Sequence, residues 1–198
     1  MTYEEAIKEL EGLETLRITV SGDIGSGKST FAKHLAEHLD VPRIYAGQIM
    51  REEAARRGIT LQDFQELLEV DDKVDREVDA LQLKKSEEIA KGVFEGRVAW
   101  QFNTAPDVKL FFSVRPEVGA DRVFGDSDNS LRDKYNSVEE VVELNKKRKA
   151  SEETRYNAYY NISAYDPDNF DLIVDTSDIG IQEVYEKTIV RIAQFLAS

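Results

Sequence analysis

The eight residues from Gly22 to Ser29 have the composition of a loop that holds phosphate groups. They match the pattern Gly-x-x-x-x-Gly-Lys-Ser/Thr. The glycines let the backbone approach phosphate oxygens closely, so that successive N–H groups point into one concavity. Lys28 adds a full positive charge, and the Ser29 hydroxyl can bind Mg²⁺, which prefers oxygen ligands. The pattern predicts a nucleoside triphosphate site at Gly22, Asp23, Ile24, Gly25, Ser26, Gly27, Lys28, Ser29 and Thr30.

The segments on either side of this loop support that interpretation. An apolar run at residues 16–20 reads as a strand, and residues 30–39 have the pattern of a helix. A helix that starts at the loop turns its positive N-terminal end toward bound phosphate. A chance glycine-rich turn that contains a lysine is therefore the weaker alternative.

The rest of the chain alternates between strand and helix patterns. Strands are predicted at residues 16–21, 41–45, 92–95, 108–114 and 171–176. Helical patterns are found at residues 3–12, 30–39, 60–91, 116–124, 137–160 and 181–196, and another helix follows Gln48. Residues 125–136 have the composition of a loop. Alternation of this kind predicts an α/β fold whose parallel sheet is covered by helices on both sides, with the nucleotide at its carboxyl edge.

Composition limits the other classes of function. The formal net charge of -13 argues against nonspecific binding to nucleic acid or to anionic membranes. The 198 residues contain no cysteine, which excludes disulfides, zinc–thiolate sites and thiol catalysis. No run is long enough for a membrane-spanning helix, and the first five residues do not resemble a secretory signal. We therefore expect a cytoplasmic enzyme that acts as a monomer, with small nucleotides as its partners and without nucleic-acid or membrane partners.

Four arginines are candidates for a second anion site. Arg51 lies in the helix after Gly47, Arg97 ends the third predicted strand, and Arg148 and Arg155 are seven residues apart on one helix. The last two should share a face, two turns apart. A planar guanidinium binds phosphate oxygens in pairs and stays charged. Together with a phosphate loop, these residues favour transfer between two phosphorylated molecules over nucleotide binding alone.

On these residues the chain resembles the cytidylate kinase family, in the short form found in archaea and some bacteria. The resemblance covers nearly the whole chain after residue 15. Its most specific segments are Ala-Gly-x-x-x-Arg at residues 46–51, Glu-Gly-Arg at 95–97 and Arg-Tyr-x-x-Tyr-Tyr at 155–160. Further matching segments are residues 21–30, 75–79 and 175–177, with Arg148.

The resemblance implies a P-loop NTPase fold, a three-layer α/β/α arrangement with a five-stranded parallel sheet. One domain would span residues 1–198, with a monophosphate-binding helical segment at about 46–91 and a lid at about 122–160. It implies Mg²⁺-dependent transfer of a phosphoryl group from ATP to CMP or dCMP. The roles it implies are catalysis by Lys28, Arg148 and Arg155, acceptor binding by Gly47, Arg51, Arg97 and Glu152, and metal binding by Ser29, with Glu95 holding a metal-bound water.

Alternatives remain open at the level of sequence. Ala46 stands where longer relatives carry a serine that touches the acceptor sugar, so base and sugar preference are undecided. The chain could phosphorylate another acceptor, such as UMP or AMP, or could be a nucleotide-binding switch without any acceptor. His34 and His38 lie four residues apart on one helix, but with no third ligand in the sequence we interpret them as surface residues.

Overall fold

The computed structural model describes residues 1–61, 63, 64, 67, 72–125 and 135–198. Most of the predicted loop at 125–136 lies outside the described residues, as does part of the predicted helical stretch at 60–91. Within the described part of the chain, no helix is long and apolar enough to cross a bilayer.

Five parallel strands form one sheet in the order β2-β3-β1-β4-β5. Their bounds are β1 Leu16–Gly22, β2 Arg43–Tyr45, β3 Lys91–Glu95, β4 Val108–Ser113 and β5 Leu172–Asp175. The strand that leads into the phosphate loop, β1, is central and buried along almost its whole length. The expected five-stranded parallel sheet is confirmed.

In the described part of the chain, the sheet is accompanied by seven helices: α1 Tyr3–Gly12, α2 Lys28–His38, α3 Ala46–Arg57, α4 Asp72–Glu88, α5 Pro116–Phe124, α6 Val138–Tyr160 and α7 Ile181–Leu196. A 3-10 turn at Pro167–Asn169 precedes β5. The predicted helix at 30–39 begins earlier, at Lys28, because Gly27 in a left-handed conformation is its N-cap. The predicted helical stretch at 60–91 ends earlier, at Glu88, and β3 already begins at Lys91. The second strand is shorter than predicted, since Val41 and Pro42 lie outside it.

The helices cover both faces of the sheet. Ile18 and Val20 pack in one core cluster with residues of α1, α2 and α7. Phe94 packs in another cluster with residues of α3 and α4. Val93, its neighbour in β3, belongs to the first cluster, because successive side chains of a strand point to opposite faces. The sheet is thus held between two helical layers, which leaves its carboxyl edge for the loops.

Side chains cap the chain at the two predicted helix starts, residues 60 and 137. The backbone N–H of Asp63 donates to Thr60 Oγ1 at 3.1 Å, and Thr60 N–H donates to the Asp63 carboxylate at 3.2 Å. At the start of α6, the N–H of Glu140 donates to Ser137 Oγ at 3.2 Å. Both pairs satisfy N–H groups that a helix start leaves without partners.

Candidate active site

The ends of three neighbouring strands bring the predicted site residues to one edge of the sheet. β1 ends at Gly22, where the phosphate loop begins, and β3 ends at Glu95, two residues before Arg97. β2 ends at Tyr45, which is paired in register with Glu95. Because the strands are parallel, their carboxyl ends share one side. The phosphate loop, Arg97 and the start of α3 therefore lie side by side.

The phosphate loop depends on glycine at two points. Gly25 has φ +79°, and a Cβ on it would lie 2.6 Å from the carbonyl carbon of Gly119 in α5. Gly27 has φ +82° and caps α2. Larger residues are strained at such positive φ values. Inside the loop, the Ser26 hydroxyl donates to the carbonyl of Asp23 at 2.8 Å. The conformation of the loop is therefore held by its internal hydrogen bond and by close packing against α5.

Lys28 lies among charged groups from three elements. Its Nζ donates to the carbonyl oxygen of Asp23 at 3.4 Å. Burial, together with the positive charges of Arg97 and Arg148, lowers the pKa of Lys28 to about 7, although the carboxylates of Glu95 and Glu152 act in the opposite direction. A cluster in which cations repel one another is suited to a polyanion.

The two residues predicted to hold magnesium are in direct contact. The Ser29 hydroxyl donates to Glu95 Oε1. Arg43 holds the other oxygen of this carboxylate, with its Nε 3.0 Å from Glu95 Oε2. A hydroxyl beside a carboxylate suits Mg²⁺, which takes few protein ligands and completes its shell with phosphate oxygens and water. Among the described residues no group of three His, Cys, Asp or Glu side chains could hold a metal alone.

Glu152 of α6 joins two of the predicted arginines. Arg97 Nε lies 3.0 Å from Glu152 Oε2, and Arg148 Nε lies 3.0 Å from Oε1. The Tyr165 hydroxyl donates to Oε2, and Arg97 also donates to the carbonyl of Gly22 at 3.0 Å. Arg97 is thereby tied to the phosphate loop on one side and to α6 on the other.

The charge state of this cluster follows from its partners. Burial alone would raise the pKa of Glu152. Although burial is the largest single effect, the charge of Arg97, the Tyr165 hydroxyl and Arg148 together outweigh it, so the pKa of Glu152 lies below its usual value. Burial, followed by the Glu152 charge, raises the pKa of Tyr165 well above its usual value, which keeps this hydroxyl a donor.

Arg51, Gly47 and Arg155 lie at the sides of this group. Arg51 donates to the Tyr45 hydroxyl, and a Cβ on Gly47 would lie 3.4 Å from the Tyr45 ring. Both residues therefore flank the end of β2. The guanidinium carbon of Arg155 lies 5.2 Å from the ring centroid of Tyr156 on α6. The structure brings together Lys28, Glu95, Arg97, Arg148 and Glu152, with Arg51 toward β2 and Arg155 further along α6.

Three basic residues outside the predicted set, Arg43, Arg122 and Lys149, contact the phosphate loop or its neighbours. Arg43 binds Glu95, as described above. Lys149 Nζ lies 2.8 Å from Asp23 Oδ1. Arg122 of α5 donates to the carbonyl of Gly25 at 3.3 Å and to the carbonyl of Thr176 at 2.6 Å. The sequence contains a signal for Lys149, because it stands next to Arg148 on a helix that should face the loop. Neither Arg43 nor Arg122 belongs to a motif.

Comparison with known proteins identifies the family of this chain. The profile of the Cytidylate kinase-like family matches residues 17–178. This chain belongs to that family. The matched stretch contains every predicted site residue, whereas α1 and α7 lie outside it.

Curated relatives in the cytidylate kinase-like family cover most of the chain. The cytidylate kinase of Pyrococcus furiosus is 39% identical over 82% of this chain and 80% of its own length. The cytidylate kinase of Pyrobaculum arsenaticum is 35% identical over 84% of this chain and 86% of its own length. Among solved structures, shikimate kinase from Bacteroides thetaiotaomicron superposes with a TM-score of 0.62 at 16% identity, covering 93% of this chain and 99% of that one. At that identity the likeness concerns the fold alone.

Proposed function

We propose that this chain transfers the γ-phosphoryl group of ATP to the phosphate of CMP or dCMP, giving ADP and the corresponding diphosphate. Membership in the cytidylate kinase-like family and the names of its relatives support this reaction. The observation that carries the proposal is the paired setting of Arg97 and Arg148 on Glu152, beside the phosphate loop. A site for one nucleotide would not need two further cations, Arg97 and Arg148, close enough to Lys28 to lower its pKa.

Binding of the two substrates would divide the site. The phosphate loop from Gly22 to Thr30 would hold the triphosphate. Gly47, Arg51 and Arg97 would hold the acceptor, with the phosphate between the two guanidiniums and Glu152 orienting Arg97. Since Glu152 already occupies Arg97 and Arg148, an arriving phosphate would compete with a carboxylate for the same donors.

Phosphoryl transfer needs positioning and charge stabilisation more than covalent chemistry. An oxygen of the acceptor phosphate attacks the γ-phosphorus. The bond between the γ-phosphorus and the oxygen that bridges the β- and γ-phosphates breaks, and this bridging oxygen stays on the leaving ADP. Charge on the peripheral oxygens would be met by Lys28, Arg148 and Arg155. Mg²⁺, when bound near Ser29 and Glu95, would neutralise phosphate charge. Closure of the segment at about 122–160 would exclude water and so suppress hydrolysis of ATP.

The decisive experiment measures ADP release with separate acceptors. We expect kcat/KM for CMP and dCMP to exceed that for UMP or AMP by at least about tenfold, a difference of about 1.4 kcal/mol, and ADP release without any acceptor to be at least about tenfold slower than turnover with CMP. Faster release with UMP or AMP would assign another acceptor. Release that does not depend on any acceptor would favour a nucleotide-binding switch.

A further inference from the structure

One ion pair connects the phosphate loop directly to α6. Lys149 Nζ lies 2.8 Å from Asp23 Oδ1. The other oxygen of Asp23 accepts a hydrogen bond of 3.3 Å from the backbone N–H of Val114, just past the end of β4. The Asp23 side chain is only 19% exposed, against 47% for Lys149. The carboxylate is therefore held by the sheet on one side and by the helix on the other.

Lys149 is also fixed from a second direction. Its Nζ lies 4.3 Å from the centroid of the Tyr165 ring, within the range of a cation–π contact. The hydroxyl of the same tyrosine donates to Glu152, which in turn binds Arg97. Arg97 returns to the loop through the carbonyl of Gly22. The phosphate loop and α6 are therefore linked twice, once through Lys149 and once through Arg97.

The carboxylate of Asp23 is unexpected in a loop that binds phosphate groups. The loop and its surroundings are otherwise arranged for a polyanion, and a free negative charge at Asp23 would oppose triphosphate binding. Lys149 compensates that charge. The same ion pair attaches α6 to the phosphate loop at Lys149, the residue next to Arg148.

We propose that Asp23 and Lys149 are a positioning pair that docks α6 on the phosphate loop and so sets where Arg148 stands relative to Lys28. The effect on turnover rests on the proposed function, whereas the docking itself does not. Partly exposed ion pairs contribute little to the free energy of unfolding. Loss of this ion pair should therefore displace Arg148 without unfolding the protein. A displacement of about 1 Å in a catalytic site can lower the rate about a hundredfold.

The test compares Lys149→Met, Asp23→Asn and the double variant with the wild type. We expect each single variant to lower kcat by about tenfold or more, with the KM for the acceptor within about twofold. The double variant should be no worse than the worse single one, because both changes remove the same contact. Lys149→Arg, which keeps the charge, should retain most of the activity.

Lys146→Met is the matched control. Lys146 lies three residues earlier on the same helix, and its Nζ bonds to Glu143 at 2.9 Å, within α6. Its removal deletes another lysine–carboxylate ion pair of α6 without touching the loop. We expect this variant to keep the kcat of the wild type.

Amide hydrogen exchange supplies a readout that needs no catalysis. In the nucleotide-free protein, residues 145–160 should exchange faster in both single variants and in the double variant, and at the wild-type rate in Lys146→Met. If the wild type phosphorylates no nucleotide but exchange follows this pattern, the proposed function fails and the positioning pair stands. Wild-type turnover and exchange in the single variants would overturn the pair, as would losses of kcat that multiply in the double variant.

Discussion

Nucleotide binding at pH 8 should draw nearly one proton onto the protein, and Lys28 should be the group that takes it up. Without bound nucleotide, burial and the nearby charges of Arg97 and Arg148 together lower the pKa of Lys28 to about 7. Bound phosphates bring negative charge to the ammonium and restore a pKa near the ordinary value of about 10.4. Between those two pKa values, binding must be accompanied by proton uptake.

The size of the uptake follows from the lowered pKa. With a pKa of about 7, Lys28 is neutral in about 0.1 of the molecules at pH 6, about half at pH 7 and about 0.9 at pH 8. Uptake should therefore rise with pH over this range. At pH 8 a terminal phosphate, whose second pKa is about 6, is already ionised and adds little of its own.

Isothermal titration calorimetry with ADP measures this uptake. Titrations at pH 8 in buffers of different ionisation enthalpy give a slope equal to the number of protons taken up. Lys28→Met should abolish the slope. Lys33→Met is the matched control, because Lys33 lies on the same helix with a side chain that is 61% exposed, and it should keep the slope.

Two results would refute this reasoning. One is an uptake below about 0.3 protons in the wild type at pH 8, which would mean that the pKa of Lys28 without bound nucleotide lies above 8. The other is an unchanged slope in Lys28→Met. That variant should also lose kinase activity while melting at or above the wild-type temperature, since burial disfavours the charge of Lys28 when no phosphate is bound. A large fall in its melting temperature would instead make Lys28 a structural residue.

Three further predictions concern neighbouring residues. Arg155→Ala should lower kcat by on the order of a thousandfold with little change in the melting temperature; near wild-type turnover would exclude a catalytic role. Gly25→Ala should abolish nucleotide binding in calorimetry, because its Cβ would collide with the backbone of Gly119 at a strained φ of +79°; normal affinity would show that the loop can shift. Ser29→Ala should raise the Mg²⁺ concentration needed for half-maximal activity by about tenfold, since Glu95 alone would remain on the protein side; an unchanged requirement would place the metal elsewhere.

Much of the fold was predictable because its signals are local. The glycine pattern of the loop, the apolar runs of the strands and the caps at Thr60 and Ser137 each depend on residues close together in the chain. The α/β class follows from their alternation, and the sheet confirms it. The exact ends of elements were less predictable, as the start of α2 at Lys28 illustrates, because a cap depends on the backbone conformation of Gly27.

The candidate site was predictable in its members but less so in its connections. Lys28, Arg97, Arg148 and Glu152 came from motif and resemblance, and all four meet in the structure. That Glu152 would bind both arginines at once was not predicted. Its contact with Arg97 joins residues that are 55 apart in the chain, and no periodicity reports such a distance.

The sequence by itself determined the chemistry of the donor loop, because a backbone anion site is encoded by glycines and a lysine at fixed local spacing. It also determined the α/β class and the resemblance to a kinase family. Only the tertiary structure decided how charge is balanced around that loop. Asp23 pairs with Lys149, and Glu95 pairs with Arg43, because folding brings together elements that are far apart in the chain. The low pKa of Lys28 follows from burial and from the charges that folding places around it. Electrostatic energies depend on distance and solvent exposure, and the order of residues fixes neither until the chain has folded.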